Sequence, residues 1–307
     1  MMIDVTQKTW LEVGLNGPWT RAKQPGIPVS VEEIVRQGID CVKAGAAIVH
    51  IHAYDERTGQ QKDDAETYKK IITEIRSKVD AIVYPTVPAP GMNRIAEGSS
   101  AVDRYAHIEE LAKDGLVEWT VLDPGSCNIT HYDQLKEDRP GYVYLNHEAD
   151  VRHGLSIARQ YGIHPSYAIY EPGFIRLGAS LHWRESTPDP IYRLMFSSGF
   201  TFGFPPEDFS LTAYLNLLDK VAPGCNWMAS GLDVDIMPLI PRVVAEGGHI
   251  RVGLEDARFG CERTNLQLVE QAAEIIEKCG GDLARGSEVR IACSSEKLEA
   301  LAANNPF

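Results

Sequence analysis

The chain has 307 residues, 44% of them hydrophobic and 24% charged, with a formal net charge of -13. This is enough apolar material for one large core or two ordinary ones, and an acidic surface repels phosphate backbones, which argues against nucleic acid as a partner. No run reaches the roughly 20 apolar residues that span a bilayer, and the opening MMIDVTQKTW lacks the basic and apolar regions of a signal peptide, so no membrane partner is expected and the cytoplasm is the expected location.

The first strand-like run is Trp10–Leu15. Ser30-Val-Glu-Glu33 is a capping box that opens an amphipathic helix ended by Gly45. A second strand over Ala47–Ala53 leads to a helix over Ala65–Val79, with Ile71, Ile72 and Ile75 at helical spacing. The pattern continues with strand Ala81–Val87, helix Val102–Lys113 stopped by Gly115, strand Trp119–Leu122, helix His153–Tyr161 and strand Pro165–Tyr170. Glu171–Pro190 has no clean signature, and a fifth helix is assigned there by alternation alone. Strand Arg193–Ser197, helix Leu211–Val221, strand Trp227–Gly231, helix Ile236–Ala245, strand Ile250–Glu255 and helix Asn265–Cys279 complete the chain. The last two helices stop at glycine pairs, Gly247-Gly248 and Gly280-Gly281.

Strands alternating with helices imply parallel βαβ units. Eight such units in a chain of this length predict an α/β (β/α)8 TIM barrel, with residues 1–307 as a single domain. An open doubly wound sheet is the alternative, but no GxGxxG turn follows Trp10–Leu15. The six cysteines are scattered without CxxC spacing, so they read as small buried apolar residues rather than disulfides or a zinc finger.

The strongest chemical signal is Ile48-Val49-His50-Ile51-His52-Ala53. Side chains alternate along a strand, so His50 and His52 share a face and Ile51 points away. Two imidazoles on one rigid strand suit zinc, although a hydrogen-bonded pair of core histidines fits the spacing too. The second signal is Ile250-Arg251-Val252-Gly253-Leu254-Glu255-Asp256, where Arg251, Gly253 and Glu255 are expected on one face. Buried charges need partners or a metal, and the end of the eighth strand is where barrel chemistry is built. Glu255 is the candidate third ligand and Asp256 a candidate general base; a structural Arg251–Glu255 ion pair is the alternative. Strand one neighbours strand eight in a closed barrel, so Glu12 is expected to pair with Arg251. Thr86, Asp123 and Glu171 close other strands and are further candidates, while Ser126 and Asn128 read as loop caps. The other histidines lack metal-like spacing and read mostly as surface or supporting residues.

The strand-two HxH, the strand-eight Arg251-Val-Gly-Leu-Glu255-Asp256 and the following Thr264-Asn265-Leu-Gln-Leu-Val-Glu together resemble the β-keto acid cleavage enzymes, whose type member cleaves 3-keto-5-aminohexanoate. Asn16-Gly17, Asn128, Gly203, Trp227 and Gly247-Gly248-His249-Ile250-Arg251 extend the resemblance over nearly the whole chain. The resemblance implies a TIM barrel in a homotetramer, with Zn2+ held by the residues matching His50, His52 and Glu255. It implies that the substrate's keto and carboxylate oxygens reach the metal, that the residue matching Asp256 takes the α-proton, that Arg251 holds the reacting carboxylate and that Thr86 contacts substrate. It also implies acetyl-CoA as co-substrate and release of acetoacetyl-CoA with a second product.

The sequence departs from the family at Trp19, where the type member has an acidic residue for a substrate amine. Trp19 suits an apolar tail or a quaternary ammonium, and Arg21 suits a second carboxylate; Asn16 and Asp123 complete the expected substrate contacts. The glycine-rich turn after strand three reads Pro85-Thr-Val-Pro88-Ala-Pro90-Gly91, and Pro205-Pro206 replaces a glycine pair after strand six. Three competing readings stand beside this one. They are an amidohydrolase-like enzyme, which needs histidines where strands five and six instead end in Tyr170-Glu171 and Ser197-Ser198, a CoA-independent retro-aldol lyase on the same metal, and a non-catalytic metal-dependent binding barrel.

Overall fold

The computed structural model describes residues 8–88 and 100–294. Eight parallel strands form one sheet: β1 (Leu11–Gly14), β2 (Ile48–Ile51), β3 (Ile82–Pro85), β4 (Trp119–Val121), β5 (His164–Ile169), β6 (Ile191–Phe196), β7 (Asn226–Gly231) and β8 (His249–Val252). Hydrogen-bonded ladders run in the order β3-β2-β1-β8-β7-β6-β5-β4. β3 and β4 meet as neighbours at the seam, with no ladder between them among the described residues. The architecture is the (β/α)8 barrel. The open doubly wound alternative fails because β1 is joined to β8 in register, Glu12 opposite Arg251.

The main helices are α1 (Val31–Lys43), α2 (Ala65–Arg76), α3 (Ala101–Lys113), α4 (Glu148–Tyr161), α5 (Pro172–Glu185), α6 (Asp208–Val221), α7 (Ile240–Ala245) and α8 (Asn265–Lys278). α1 begins at Ser30, whose hydroxyl accepts from Glu33 N while Glu33 reaches back to Ser30 N. Such a cap contributes about 1 kcal/mol. The isoleucine stripe of α2 is fully buried, each side chain contributing about 1.5–3 kcal/mol relative to exposure. Below the barrel Trp10 stacks on His249 with centroids 3.9 Å apart, and Trp10 N donates to His249 Nδ1.

Several expected boundaries move. β8 stops at Val252, three residues before Glu255, because Gly253 turns the chain at φ +136° and Glu255 N returns to Gly14 O. Gly253 therefore does not share a strand face with Arg251. A Cβ there would lie 2.1 Å from Gly14 O, so only glycine fits. α4 starts five residues earlier than expected, at Glu148. The helix over Ile236–Ala245 divides into a 3-10 turn (Met237–Leu239) and α7. α5 occupies the segment without a clean signature. Its Glu171 N-cap makes no side-chain cap bond, and Ser186 ends it in the left-handed region where glycine is usual. Two short hairpins, Tyr54–Asp55 with Gln60–Gln61 and Cys127–Ile129 with Tyr142–Tyr144, lie in the loops after β2 and β4. Of the altered turn after strand three, Ala89, Pro90 and Gly91 fall outside the described residues.

Candidate active site

His50 on β2 and His52, one residue past its end, point into the barrel as their alternation requires, with rings 5.1 Å apart and nearly perpendicular. Register sets His50 opposite Gly14. The turn after β8 brings in Glu255, with Oε2 3.6 Å from His50 Nε2 and Oε1 3.5 Å from His52 Nε2. One ligand atom from each of the three residues lies within 4.8 Å of the others. His52 Nε2 is buried without a hydrogen-bond partner among the described residues, and Glu255 Oε2 has only the Arg251 guanidinium beside it. Buried polar atoms are nearly always paired, so a bare ring nitrogen facing a carboxylate, with a second imidazole alongside, fits a cation site. The donor set of two imidazoles and a carboxylate is the one zinc prefers.

The surrounding residues fix these donors. His52 Nδ1 donates to Gln61 Oε1 at 2.9 Å, leaving Nε2 with its lone pair, and Gln61 Nε2 donates to Asp63. Asn16 clamps the backbone of His52 from both sides: its Oδ1 accepts from His52 N, and its Nδ2 donates to His52 O and Pro28 O. Trp19 Nε1 donates to Glu255 O, and Asn265 Oδ1 accepts from Leu254 N, so the turn carrying Glu255 is held from two sides.

Arg251 is fully buried and faces three carboxylates. Its Nε and Nη2 donate to the two oxygens of Asp256 at 3.0 and 2.9 Å; Nη2 lies 2.9 Å from Glu255 Oε2 and Nη1 3.4 Å from Glu12 Oε1. Tyr84 also donates to Glu12. The expected Glu12–Arg251 and Arg251–Glu255 pairs are thus both present. Three carboxylates around one guanidinium leave excess negative charge in a dry site, which is costly unless another cation joins them. Burial pushes His50 well below the usual range, so it is neutral, the form that ligates a metal. Burial opposes ionisation of Glu255, but Arg251 and the two histidines outweigh it and hold that carboxyl well below its usual range. Burial pushes Asp256 up to about 7, against the pull of Arg251.

Two clefts border these residues. The first is narrow, about 40 Å3, and is bordered by His50, His52, Glu255, Thr86, Asp123 and Arg193. This is room for an ion and a few atoms. Asp123 accepts from Ala168 N at 2.7 Å and from Tyr144, so its oxygens already have protein partners. Burial raises its carboxyl above the usual range. Thr86 is buried, with its carbonyl held by His107 Nε2. The second cleft, about 390 Å3, lies between the segments following β7 and β8. It is bordered by Asp256 and Arg251 with Ile236, Met237, Leu268 and Arg258.

Trp19 packs at the mouth with Phe200 and Phe259, and the exposed Lys23 lays its ammonium 4.0 Å from the Phe259 ring centroid and 4.8 Å from that of Trp19. Arg21 is not brought to this site. It is half exposed on the outside of the barrel, paired with Glu33 at 2.6 Å. Ser126 is the expected loop cap, bonded to Asn146. His107 and His249 are buried supports rather than surface residues. Sequence reasoning missed Gln61 and Arg193. A lone arginine inside the apolar run Ile191-Tyr-Arg-Leu-Met-Phe196 was the available signal for the second.

A family model described as beta-keto acid cleavage enzyme matches residues 8–293. The chain is 25% identical to a 3-dehydrocarnitine:acetyl-CoA trimethylamine transferase of Rhizobium meliloti, covering 94% of this chain and 97% of the relative. It is 24% identical to a 3-keto-5-aminohexanoate cleavage enzyme of Fusobacterium nucleatum, covering 91% and 94%. Among solved structures its fold is similar to that of ligand-free ObcA, with a TM-score of 0.68 and 16% identity over 87% of this chain. The chain spans 65% of the length of ObcA. With the match running from before β1 to beyond α8, over the strands that carry the histidines and the Arg251–Asp256 segment, the chain belongs to the beta-keto acid cleavage enzyme family.

Proposed function

We propose that this chain holds zinc through His50, His52 and Glu255 and exchanges acyl groups between a β-keto acid and acetyl-CoA. The observation that carries the reading is the gathering of donor atoms of His50, His52 and Glu255 within 4.8 Å of one another at the catalytic end of a barrel belonging to this family. Bound there, zinc would act as a Lewis acid on the keto acid's oxygens.

The protein's own groups account for the rest. Asp256 accepts the proton from the carbon between the ketone and the carboxylate, and Arg251 orients both its oxygens for that transfer. Thr86 borders the same cleft as the donors and contacts the substrate there. The carbanion then attacks the thioester carbonyl, forming a carbon–carbon bond and expelling the CoA thiolate. The thiolate attacks the original ketone, and the bond between that ketone and the α-carbon breaks. This balance leaves the tail as a new acyl-CoA, and the acetyl group joined to the keto acid's own α-carbon and carboxylate as free acetoacetate, whose carbanion takes back the proton from Asp256. It corrects the expectation of acetoacetyl-CoA, which would require the thiolate to end on the carboxylate carbon.

The first cleft has room only for the reacting head, so the tail extends toward the aromatic mouth at Trp19, Phe200 and Phe259. An apolar or quaternary ammonium tail suits those ring faces. The cation lying over them is the protein's own Lys23, whereas Arg21 has Glu33 as its partner. The second cleft, apolar with Arg258 at its edge, suits the pantetheine arm and phosphates of acetyl-CoA. A cytoplasmic homotetramer completes the proposal; no helix among the described residues is long and apolar enough to cross a membrane, and light scattering tests the assembly.

The test is a turnover screen. Zinc-loaded protein meets acetyl-CoA and β-keto acids differing only in the tail, with Glu255→Ala as control and both acetoacetate and the new acyl-CoA measured. Product from one member, absent in the control, is the expected result. No acetyl-CoA-dependent product from any member overturns the reading.

A further inference from the structure

Arg251 is the arginine that the family resemblance assigns to the substrate carboxylate, yet its surroundings argue against that role. It is already enclosed by Asp256, Glu255 and Glu12. A substrate carboxylate placed there would be a fourth anion on one guanidinium. Arg251 also borders the second cleft, not the one that holds the histidines.

Arg193 has the opposite character. It lies on β6 with its side chain 4% exposed, and it borders the narrow cleft together with His50, His52 and Glu255. Its Nε is buried and has no hydrogen-bond partner among the described residues. Nη2 makes one 3.3 Å bond to Ser166 O and approaches Asp123 Oδ1 only to 3.7 Å. That oxygen already accepts from Ala168 N. A buried guanidinium with an unused donor and one loosely held anion is poised for another anion. The planar fork of arginine matches a carboxylate, which it reads with two parallel bonds.

We propose that Arg193, rather than Arg251, receives the carboxylate of the β-keto acid, and that Arg251 acts as a positioning residue that orients Asp256 and Glu255. The inference rests on the proposed function for the identity of the ligand, but not on the use of acetyl-CoA.

The test uses the full chain, zinc-loaded, without acetyl-CoA, titrated calorimetrically with acetoacetate and separately with methyl acetoacetate. Wild type is expected to prefer the acid over the ester, and Arg193→Gln to lose about 10- to 100-fold in acetoacetate affinity while its ester affinity stays the same. Arg193→Lys, which keeps the charge without the fork, recovers part of the loss and serves if the glutamine variant does not fold. Zinc content by mass spectrometry is expected to match wild type. Equal losses for acid and ester, a fall in zinc content, or a wild type that binds neither probe overturns the inference. An acid-specific loss in a protein that shows no acetyl-CoA-dependent turnover supports the carboxylate site and refutes the acyl-exchange reading. Unchanged acetoacetate affinity in Arg193→Gln, with turnover intact, refutes Arg193 alone.

Discussion

Replacing Gln61 with leucine tests the metal site from outside its ligands. Gln61 accepts from His52 Nδ1 at 2.9 Å and is itself held by Asp63 at 2.7 Å, which accepts from Tyr68. This chain of bonds fixes the proton on Nδ1 and aims Nε2 at Glu255. Removing such a support costs a metal site about 10- to 100-fold in affinity, or about 1.4–2.7 kcal/mol. Gln61 is partly exposed, so water replaces some of the lost hydrogen bonding, and the expected loss is near tenfold, the lower end of that range. The assay is zinc titration of metal-free protein in competition with a chelator, alongside the melting temperature of the metal-free protein. A tenfold weaker affinity with an unchanged metal-free melting temperature is expected. Affinity within twofold of wild type would refute the claim that Gln61 sets the tautomer of His52.

Four further outcomes are expected. Asp256→Asn should lower kcat by about 10²–10⁴-fold while zinc content and acetoacetate binding persist, measured by initial rates and calorimetry; unchanged turnover removes Asp256 as the base. Gly17→Ala should destabilise the protein by about 1–2 kcal/mol through its φ of +65°. It should also weaken zinc binding, because the added Cβ would lie 2.6 Å from Glu255 Cγ; denaturant titration and zinc competition check the two effects. Arg258→Glu should raise the KM for acetyl-CoA several-fold, more at low salt, and leave the KM for the keto acid unchanged; equal shifts in both would disfavour the second cleft as the CoA route. Glu33 loses solvation on burial, yet Val29 N, Ser30 N and Arg21 hold its carboxyl down to about 2, from an ordinary 4.5. A depressed folded value means stability that is present above pH 4.5 and is lost as pH falls toward 2. Glu33→Gln should therefore flatten the acid limb of a stability–pH curve between those values by lowering stability at neutral pH, while the two proteins converge as pH falls toward 2.

Periodicity made the barrel legible, because both of its periods serve burial. The Ile71, Ile72 and Ile75 stripe and the apolar strand cores are burial patterns, and burial is what the barrel enforces. α5 was obscure because its start depends on Pro172 rather than a capping side chain, and its stop on Ser186 rather than glycine. The histidine pair was legible for the same reason as the strands, since alternation on β2 delivers both rings to one side. Glu255 was found for an incomplete reason. It arrives by a turn, and the agreement with strand alternation arises because the Gly253 turn returns the chain to Gly14. Gln61 was out of reach because its hairpin partner and its contact with His52 depend on the path of the loop after β2. Arg193 carries a signal of the kind that singles out Arg251, a charge within an apolar strand, but no acidic residue follows it at the strand's exit to draw attention to it.

The delivery of Glu255 by the turn after β8 also orders events during synthesis. The two imidazoles emerge with β2, while the carboxylate that completes the donor set is held in place by Gly14 on the first strand, Trp19 in the loop after it and the α8 residue Asn265 through its neighbour Leu254. A nascent chain that has formed only its first strands has two histidines and no third donor. If these residues hold zinc as proposed, tight ion capture would be a late event that waits for the last strand to dock against the first, and acquisition of the ion would report that the ring has joined at β1–β8.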